Sequence, residues 1–135
     1  SQFMGPGNAT LADPFDCAAV HGLDVVRRIW EAAIWDAGED YRLFYNVNFP
    51  ACSGAAAKGR RVATQGYREA TSFTASSQTS PTGRKFLWLR GGVQTAPTGE
   101  GTDASANLQG YISVTPMRCD LTAHDRLDSL RGHIE

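Results

Sequence analysis

The chain has 135 residues, 41% of them hydrophobic and 20% charged, a composition typical of one globular domain. The formal net charge is −1, so no overall electrostatic argument favours a nucleic acid or a membrane surface as partner. No apolar stretch reaches transmembrane length, and the N-terminus lacks signal-peptide character. Cys17, Cys52 and Cys119 are widely spread without zinc-ligand spacing, which predicts a reduced, cytoplasmic protein with buried or inert thiols.

The first predicted element is a long helix. In front of it, SQFMGPGN suggests a strand that ends near Phe3 and a turn, so we expect the chain to begin inside a domain. Asp13 and Pro14 predict the N-cap and the first helical residue, and Gly38 predicts the C-cap. Apolar residues recur between them at helical spacing and should face the core. They are Phe15, Ala19, Gly22, Val26, Ile29, Trp30 and Ala33. A long helix between two strands is typical of a βαβ unit.

The next predicted element is a strand within RLFYNVNFP, from Arg42 to Pro50. Apolar residues lie on both faces, as is typical of the middle of a covered sheet. Asn46 and Asn48 interrupt this pattern on one face, because side chains two residues apart in a strand point the same way. Such amides either satisfy backbone groups of neighbouring loops or line a site.

Ligands of parallel α/β sheets bind beyond the carboxyl ends of the strands. We therefore predict that Asn48 reaches toward a site or fixes a loop that borders it, whereas Asn46 holds internal backbone. Asn8, in the GPGN loop, is expected at the same edge of the sheet. Asn48 and Asn8 are the substrate-lining candidates, and a turn role is the alternative for Asn8.

Two β-rich stretches flank a polar segment and predict a long hairpin. The first runs from Val62 to Phe73 and is interrupted by Gly66, and the second, KFLWL, begins at Lys85. SSQTSPTGRK between them is typical of turns. Because two strands alone rarely stay folded in water, the hairpin should pack on a partner or another subunit.

Three further elements follow the hairpin. Thr102 is expected to cap a short helical turn through Leu108, and GYISVTP predicts a strand. Thr122 and Asp125 approximate a capping box for a last helix. One face of that helix would carry Leu127, Leu130 and Ile134.

Few residues form a pattern typical of catalysis. Asp120, His124 and Asp125 are potential metal ligands close together in sequence, but a cap role explains Asp125 better. His21 is predicted as a partly exposed surface residue without a partner for acid–base chemistry. Cys17 is followed by two alanines on the helix and is predicted to be packed rather than nucleophilic. Since no G-x-S-x-G or P-loop motif occurs either, we predict no catalytic residue and no metal ligand.

Four stretches, in this order, resemble the C-terminal half of the SurE family of 5′-nucleotidases: LFYNVNFP, RRVATQGYRE, SPTGRKFLWLRGG and GTDASANLQGYISVTPMRCDLTAHDRL. The resemblance covers nearly the whole chain. It implies the C-terminal portion of a Rossmann-like α/β fold with a projecting β-hairpin and a C-terminal helix. Residues 1–135 would be part of one domain: 1–50 belong to the α/β core, 51–100 form the hairpin arm, and 101–135 form the returning strand and C-terminal helix.

The resemblance also implies a function. Family members hydrolyse nucleoside monophosphates to nucleoside and phosphate with a divalent metal, Mg²⁺ or Mn²⁺, and form homodimers or tetramers through the hairpin and C-terminal elements. Their metal ligands begin with an adjacent aspartate pair upstream of the matched region, and this chain contains no Asp-Asp pair. No metal ligand is therefore carried over, and the isolated chain should be inactive. The alternative is a non-catalytic oligomerisation or interaction module; neither interpretation involves a membrane or a nucleic-acid polymer.

Overall fold

The computed structural model describes residues 11–32, 43–67, 73–91 and 95–134. Its helices and strands are α1 (Asp16–Ala32), β1 (Phe44–Asn48), β2 (Arg60–Val62), β3 (Thr74–Thr79), β4 (Lys85–Arg90), α2 (Asp103–Leu108), β5 (Ile112–Met117) and α3 (Leu127–Ile134). The fold is mixed α/β, as predicted. None of the described helices has the length and apolar character needed to cross a bilayer. Three predicted features lie outside the described residues: the strand end near Phe3, the loop residue Asn8 and the helix cap Gly38.

A three-stranded sheet with the order β1-β5-β2 forms the centre of the fold. β1 pairs with β5 in antiparallel orientation, with Val47 opposite Val114, and β2 pairs with β5 in parallel. The strand predicted within RLFYNVNFP is confirmed. Its start is not covered on both faces, however, because Phe44 is 41% exposed.

A small apolar core lies between α1 and this sheet. Cys17 and Val25 of α1 are buried together with Phe49, which follows β1, and Ile112 of β5. Ile29 packs against this cluster from the next turn of the helix. Residues four apart lie on one helix face, so the packed face follows this spacing. The prediction that Cys17 is packed is confirmed, since its side chain is fully buried.

The opposite side of α1 is also apolar, and it is exposed. Leu23 is 83% exposed and Val26 is 61% exposed. Two further large side chains there are more than half exposed: Phe15, which directly precedes the helix, and Trp30. We call these four residues the outer face of α1. The prediction that Phe15, Val26 and Trp30 face the core is wrong in this structure, because the side of the helix that carries Cys17 takes that position. Large exposed apolar patches normally mark surfaces that another molecule or element covers.

The start of α1 and its charged side follow from local contacts. The Asp13 carboxylate accepts a hydrogen bond from the Phe15 backbone N–H at 2.8 Å, so Asp13 and Pro14 form a turn that leads into the helix at Asp16 rather than at Pro14. About two turns into the helix, Asp24 pairs with Arg28 at 3.0 Å, with Arg27, and with Arg60 of β2. The hydrogen bond from Arg28 is the main reason that the pKa of Asp24 is lowered.

β3 and β4 form a hairpin as a separate two-stranded sheet. Its second strand is the predicted KFLWL stretch, but its first strand, Thr74–Thr79, is not the predicted stretch from Val62 to Phe73. The turn between them contains Gly83 at a φ of 82°, a conformation that favours glycine. β3 is the polar segment TASSQT, so the assignment of SSQT to a turn is wrong. TASSQT has low β propensity, but the tight turn fixes the register of the two strands and places Ser76 opposite Trp88. Within the predicted 51–100 arm, Arg60–Val62 belongs to the central sheet.

The C-terminal elements are confirmed, with one correction. α2 and β5 lie where the sequence predicts them, and α3 is the predicted last helix. Thr122 and Asp125 do not form a capping box, because the Thr122 backbone N–H donates to the Asp120 carboxylate at 2.8 Å. The chain then enters a 3-10 turn, His124–Arg126, before α3. Leu130 and Ile134 of the predicted apolar face are 56% and 74% exposed.

The exposed outer face of α1 predicts self-association of the 135-residue chain. A fully buried Leu or Val side chain contributes roughly 1.5–3 kcal/mol, so the variant carrying Leu23→Gln and Val26→Gln should shift the chain from oligomers or aggregates toward a monomer. Light scattering coupled to size-exclusion chromatography measures this shift. The matched control is Leu121→Gln, at a residue that is 95% exposed on a different segment.

Two results would contradict this prediction. One is a monodisperse wild-type monomer that unfolds cooperatively on heating. The other is a Leu121→Gln variant that loses association as strongly as the outer-face variant, because association would then not depend on α1.

Candidate functional site

The carboxyl end of β1 is held by hydrogen bonds that centre on Asn107 of α2. The Asn107 Nδ2 lies 3.1 Å from the backbone oxygen of Asn48, 3.0 Å from that of Tyr111 and 3.3 Å from the Ser113 Oγ. An amide NH₂ carries two hydrogens, so the group is saturated as a donor. Since Ser113 is fully buried, these bonds join α2 to both strands inside the fold.

Local sequence explains why a helix forms here. The Thr102 Oγ1 accepts a hydrogen bond from the Ser105 backbone N–H, the arrangement of an N-cap. Gly110 ends the segment at a φ of 88°, which favours glycine. Asp103 and Asn107 are four residues apart in this short helix and therefore lie on one face.

Asp103 extends the set of hydrogen bonds to the loop after β2. Its Oδ1 accepts from the backbone N–H of Gly66 at 2.8 Å, and its Oδ2 lies 3.5 Å from the Asn48 Nδ2. A Cβ atom at position 66 would come within 2.9 Å of the Asp103 Oδ1, so a side chain there would disturb this contact. We call Asn48, Gly66, Asp103, Asn107 and Ser113 the polar node.

The polar node contains one of the two predicted site residues. Asn48 is half-buried and faces Asp103 with its amide, and this geometry supports the interpretation that it fixes a loop bordering a site. Contact of Asn48 or Asn8 with a substrate stays a prediction, and so does the backbone role of Asn46. Asp103 and Asn107 were not predicted as site residues. The sequence does contain one indication of their role. Asp103 and Asn107 are four residues apart after the predicted Thr102 cap, a spacing that places both on one face of a helix.

A second contact holds the chain that follows Asn48. The backbone N–H of Gly54 donates to the Asp16 Oδ2 at 2.7 Å, and the His21 Nε2 lies 2.9 Å from the Gly54 oxygen. A Cβ atom on Gly54 would come within 2.7 Å of the Val20 side chain, so the turn packs directly on α1. His21 is thus a half-buried anchor rather than a free surface residue.

An apolar groove of about 350 Å³ lies elsewhere, between α1 and the sheet. Val25 and Val114 line it, and Arg28 and Arg60 border it. Both arginines already pair with Asp24. Adjacent strand residues point to opposite faces of a sheet, so the groove at Val114 and the polar node at Ser113 are on different sides.

The described residues do not form a site for a divalent metal. No three His, Cys, Asp or Glu side chains among them lie together in a way that could hold one. The Asp120 Oδ2 lies 2.5 Å from the His124 Nε2, and its Oδ1 accepts a hydrogen bond from the Thr122 backbone N–H. Asp125 pairs with Arg126 at 3.0 Å. Mg²⁺ requires octahedral oxygen ligands, and a single carboxylate beside an imidazole does not fit this requirement.

The contacts of Asp120 change its titration. The hydrogen bond from His124, followed by those from Thr122, lowers the pKa of Asp120 from 3.8 to about 2. These bonds stabilise the turn before α3 only while the carboxylate is ionised.

Comparison with known proteins identifies relatives along the whole chain. No protein-family model matches it. Proteins named 5′-nucleotidase SurE from Cereibacter sphaeroides and Ruegeria pomeroyi are 58% and 54% identical to it, over 99% and 98% of the chain. The crystal structure of the SurE protein from Aquifex aeolicus is 29% identical, with a TM-score of 0.67 over 100% of the chain and 50% of that structure. The chain spans about half the length of these relatives, 51% and 50% for the two sequences.

Asn107→Leu should destabilise the fold, because it removes the amide donor that Asn107 offers to the backbone oxygens of Asn48 and Tyr111 and to the buried Ser113 hydroxyl. We expect a loss of roughly 1–3 kcal/mol in the free energy of unfolding, the usual cost of unsatisfied buried polar groups. The substitution is introduced into the outer-face variant, Leu23→Gln with Val26→Gln, so that self-association does not contribute. Urea unfolding, followed by tryptophan fluorescence, then measures the loss. Gln78→Leu, at an exposed hairpin residue, is the control and should stay within about 0.5 kcal/mol. Equal effects of the two substitutions would contradict the role of the polar node.

The pKa of Asp120 predicts a pH dependence of the turn before α3. A carboxyl group whose pKa is lowered in the folded state adds stability above its unfolded pKa of 3.8, and this stability is lost as the pH falls toward about 2. A ¹³C NMR titration of the Asp120 carboxyl should give a midpoint near the lower value. His124→Ala should move the midpoint up, and His133→Ala should not. A wild-type midpoint near 3.8 would show that the contact with His124 does not form in solution.

Proposed function

Because the chain belongs to the SurE family, we propose that it is part of a metal-dependent 5′-nucleotidase that hydrolyses nucleoside monophosphates to nucleoside and phosphate. The observation that carries this proposal is 58% identity, over 99% of the chain, to proteins named 5′-nucleotidase SurE. The likeness to the Aquifex aeolicus SurE structure supports it independently of the individual motifs.

The polar node supports a scaffold role for this chain in that enzyme. Asn48 is the last residue of β1, where the strand leads into the loop that begins with Phe49 and Pro50. Asp103 and Asn107 hold this end of the strand and the loop at Gly66. We propose that Asn48, and Asn8 on its loop, border the bound nucleotide from this rigid edge.

We propose that the metal chemistry comes from outside this chain. Hydrolysis of a phosphate ester requires a cation that neutralises the phosphoryl oxygens and activates water, and Mg²⁺ or Mn²⁺ is proposed for this role. Since the described residues offer no fitting set of ligands, we place the ligands in the part of the relatives' length that the chain does not span. The isolated chain is therefore proposed to be inactive.

Homodimers or tetramers through the hairpin and the C-terminal elements are proposed as the assembly. β4 supports this, because Leu87 and Trp88 point to opposite faces of the hairpin and are 69% and 56% exposed. A non-catalytic interaction module would use the same surface and is the second candidate function. The three free thiols support a reducing compartment, and the cytoplasm is proposed.

The proposal predicts where phosphate-releasing activity resides. The purified 135-residue chain should release no phosphate from AMP, GMP or p-nitrophenyl phosphate with Mg²⁺ or Mn²⁺. A protein extended upstream to the length of the relatives should release it, because it would contain the metal ligands. A colorimetric phosphate assay measures both proteins, with a chelator as the control.

Two outcomes would contradict the proposal. Chelator-sensitive turnover by the 135-residue chain would show that it holds a metal, and would return Asp120, His124 and Asp125 to consideration as ligands. Absence of activity in the extended protein with every metal and substrate would favour the interaction module.

A further inference from the structure

Two cysteines that are far apart in the sequence meet where α1 contacts the turn after β1. Cys17 lies in the first turn of α1 and is fully buried, and Cys52 is half-buried and packs against the same apolar core. Both are free thiols at this one core, and the backbone N–H of Gly54, two residues after Cys52, bonds the carboxylate of Asp16, the residue before Cys17. Cys119, the third cysteine, is exposed on the segment after β5.

The surrounding contacts hold the two thiols together. Asp16, the neighbour of Cys17, accepts the hydrogen bond from the backbone of Gly54, and His21 contacts the Gly54 oxygen one helical turn later. Gly54 lies two residues after Cys52 and packs on α1 so closely that no side chain fits there. The proximity of the thiols is therefore fixed by the same contacts that fix the turn.

The environments of the two thiols differ. Burial, followed by the neighbouring Cys52, raises the pKa of Cys17 to about 11. Thiolates are the reactive form of cysteine, so Cys17 is a poor first nucleophile. Cys52 is more exposed, and a small oxidant in solution reaches it first.

We propose that Cys17 and Cys52 are a modification site, at which a peroxide forms a reversible disulfide between α1 and the turn after β1. The Cys52 thiolate attacks one oxygen of hydrogen peroxide, the O–O bond breaks, and a sulfenic acid forms with release of water after proton uptake. The Cys17 sulfur then attacks the Cys52 sulfur, and the sulfenic oxygen leaves as a second water. One peroxide is reduced, two thiols are oxidised, and a dithiol reductant reverses the reaction.

The disulfide would affect the candidate site through the short segment that links Asn48 to Cys52. Cys52 follows Asn48 by four residues, with the buried Phe49 and Pro50 in between. A covalent bond to α1 would fasten this segment more firmly than the hydrogen bonds of Gly54 do. Oxidation therefore acts on the stretch that leaves the polar node.

Peptide mapping tests the proposal, because trypsin places each cysteine in a different peptide: residues 1–27, 43–58 and 119–126. The native chain, dilute and treated with one equivalent of hydrogen peroxide, is alkylated without reduction, digested and analysed by mass spectrometry. We expect a cross-link between 1–27 and 43–58 that dithiothreitol removes. It should exceed cross-links to Cys119 by about tenfold or more, because a neighbouring thiol has a high effective concentration.

Matched variants make the result decisive. Cys119→Ser should leave the cross-link unchanged, whereas Cys52→Ser should abolish it and leave Cys17 available for alkylation after unfolding. In concentrated urea the preference for the Cys17–Cys52 pair should disappear. The proposal is overturned if oxidised native chain pairs Cys52 mainly with Cys119, if Cys52 is oxidised to the sulfinic acid while Cys17 stays a thiol, or if urea leaves the preference intact.

Discussion

The side chain of Asn107 determines how the parts of this fold meet. Buried backbone carbonyls need a hydrogen-bond donor, and the last residue of β1 and the residue before β5 both obtain it from this one amide. Asp103, one turn earlier in α2, ties the loop after β2 to the same point. The edge of the sheet at Asn48 is therefore fixed from inside the fold, and it does not depend on the exposed hairpin.

Elements with strong local signals could be predicted from the sequence. The Thr102 cap and the β-rich run of β5 are such signals, and both elements formed where expected. β3 could not be predicted, because TASSQT has little β propensity and is a strand only through its pairing with β4. The apolar periodicity of α1 also predicted the wrong side of the helix to face the core. A helix with two apolar sides gives no local reason to prefer the side that carries Cys17 and His21.

The candidate site could be predicted only in part, for a similar reason. Asn48 stood out because an amide interrupts an apolar strand. Asp103 and Asn107 acquire their role from acceptors and donors that come from β1, β5 and the loop at Gly66. Such tertiary contacts leave no pattern in a single sequence. Likewise, Cys17 and Cys52 share one apolar core where the turn at Gly54 packs on α1, although their spacing suggested no relation.

We propose that this chain has a scaffold role and that the metal ligands lie in the part of the relatives' length that it does not span. Binding of Mn²⁺, followed by electron paramagnetic resonance of the free ion, tests this division directly. A protein of the relatives' full length should bind Mn²⁺ saturably, and the 135-residue chain should show no saturable binding. Stoichiometric, saturable binding by the 135-residue chain that is lost in Asp120→Asn would contradict it.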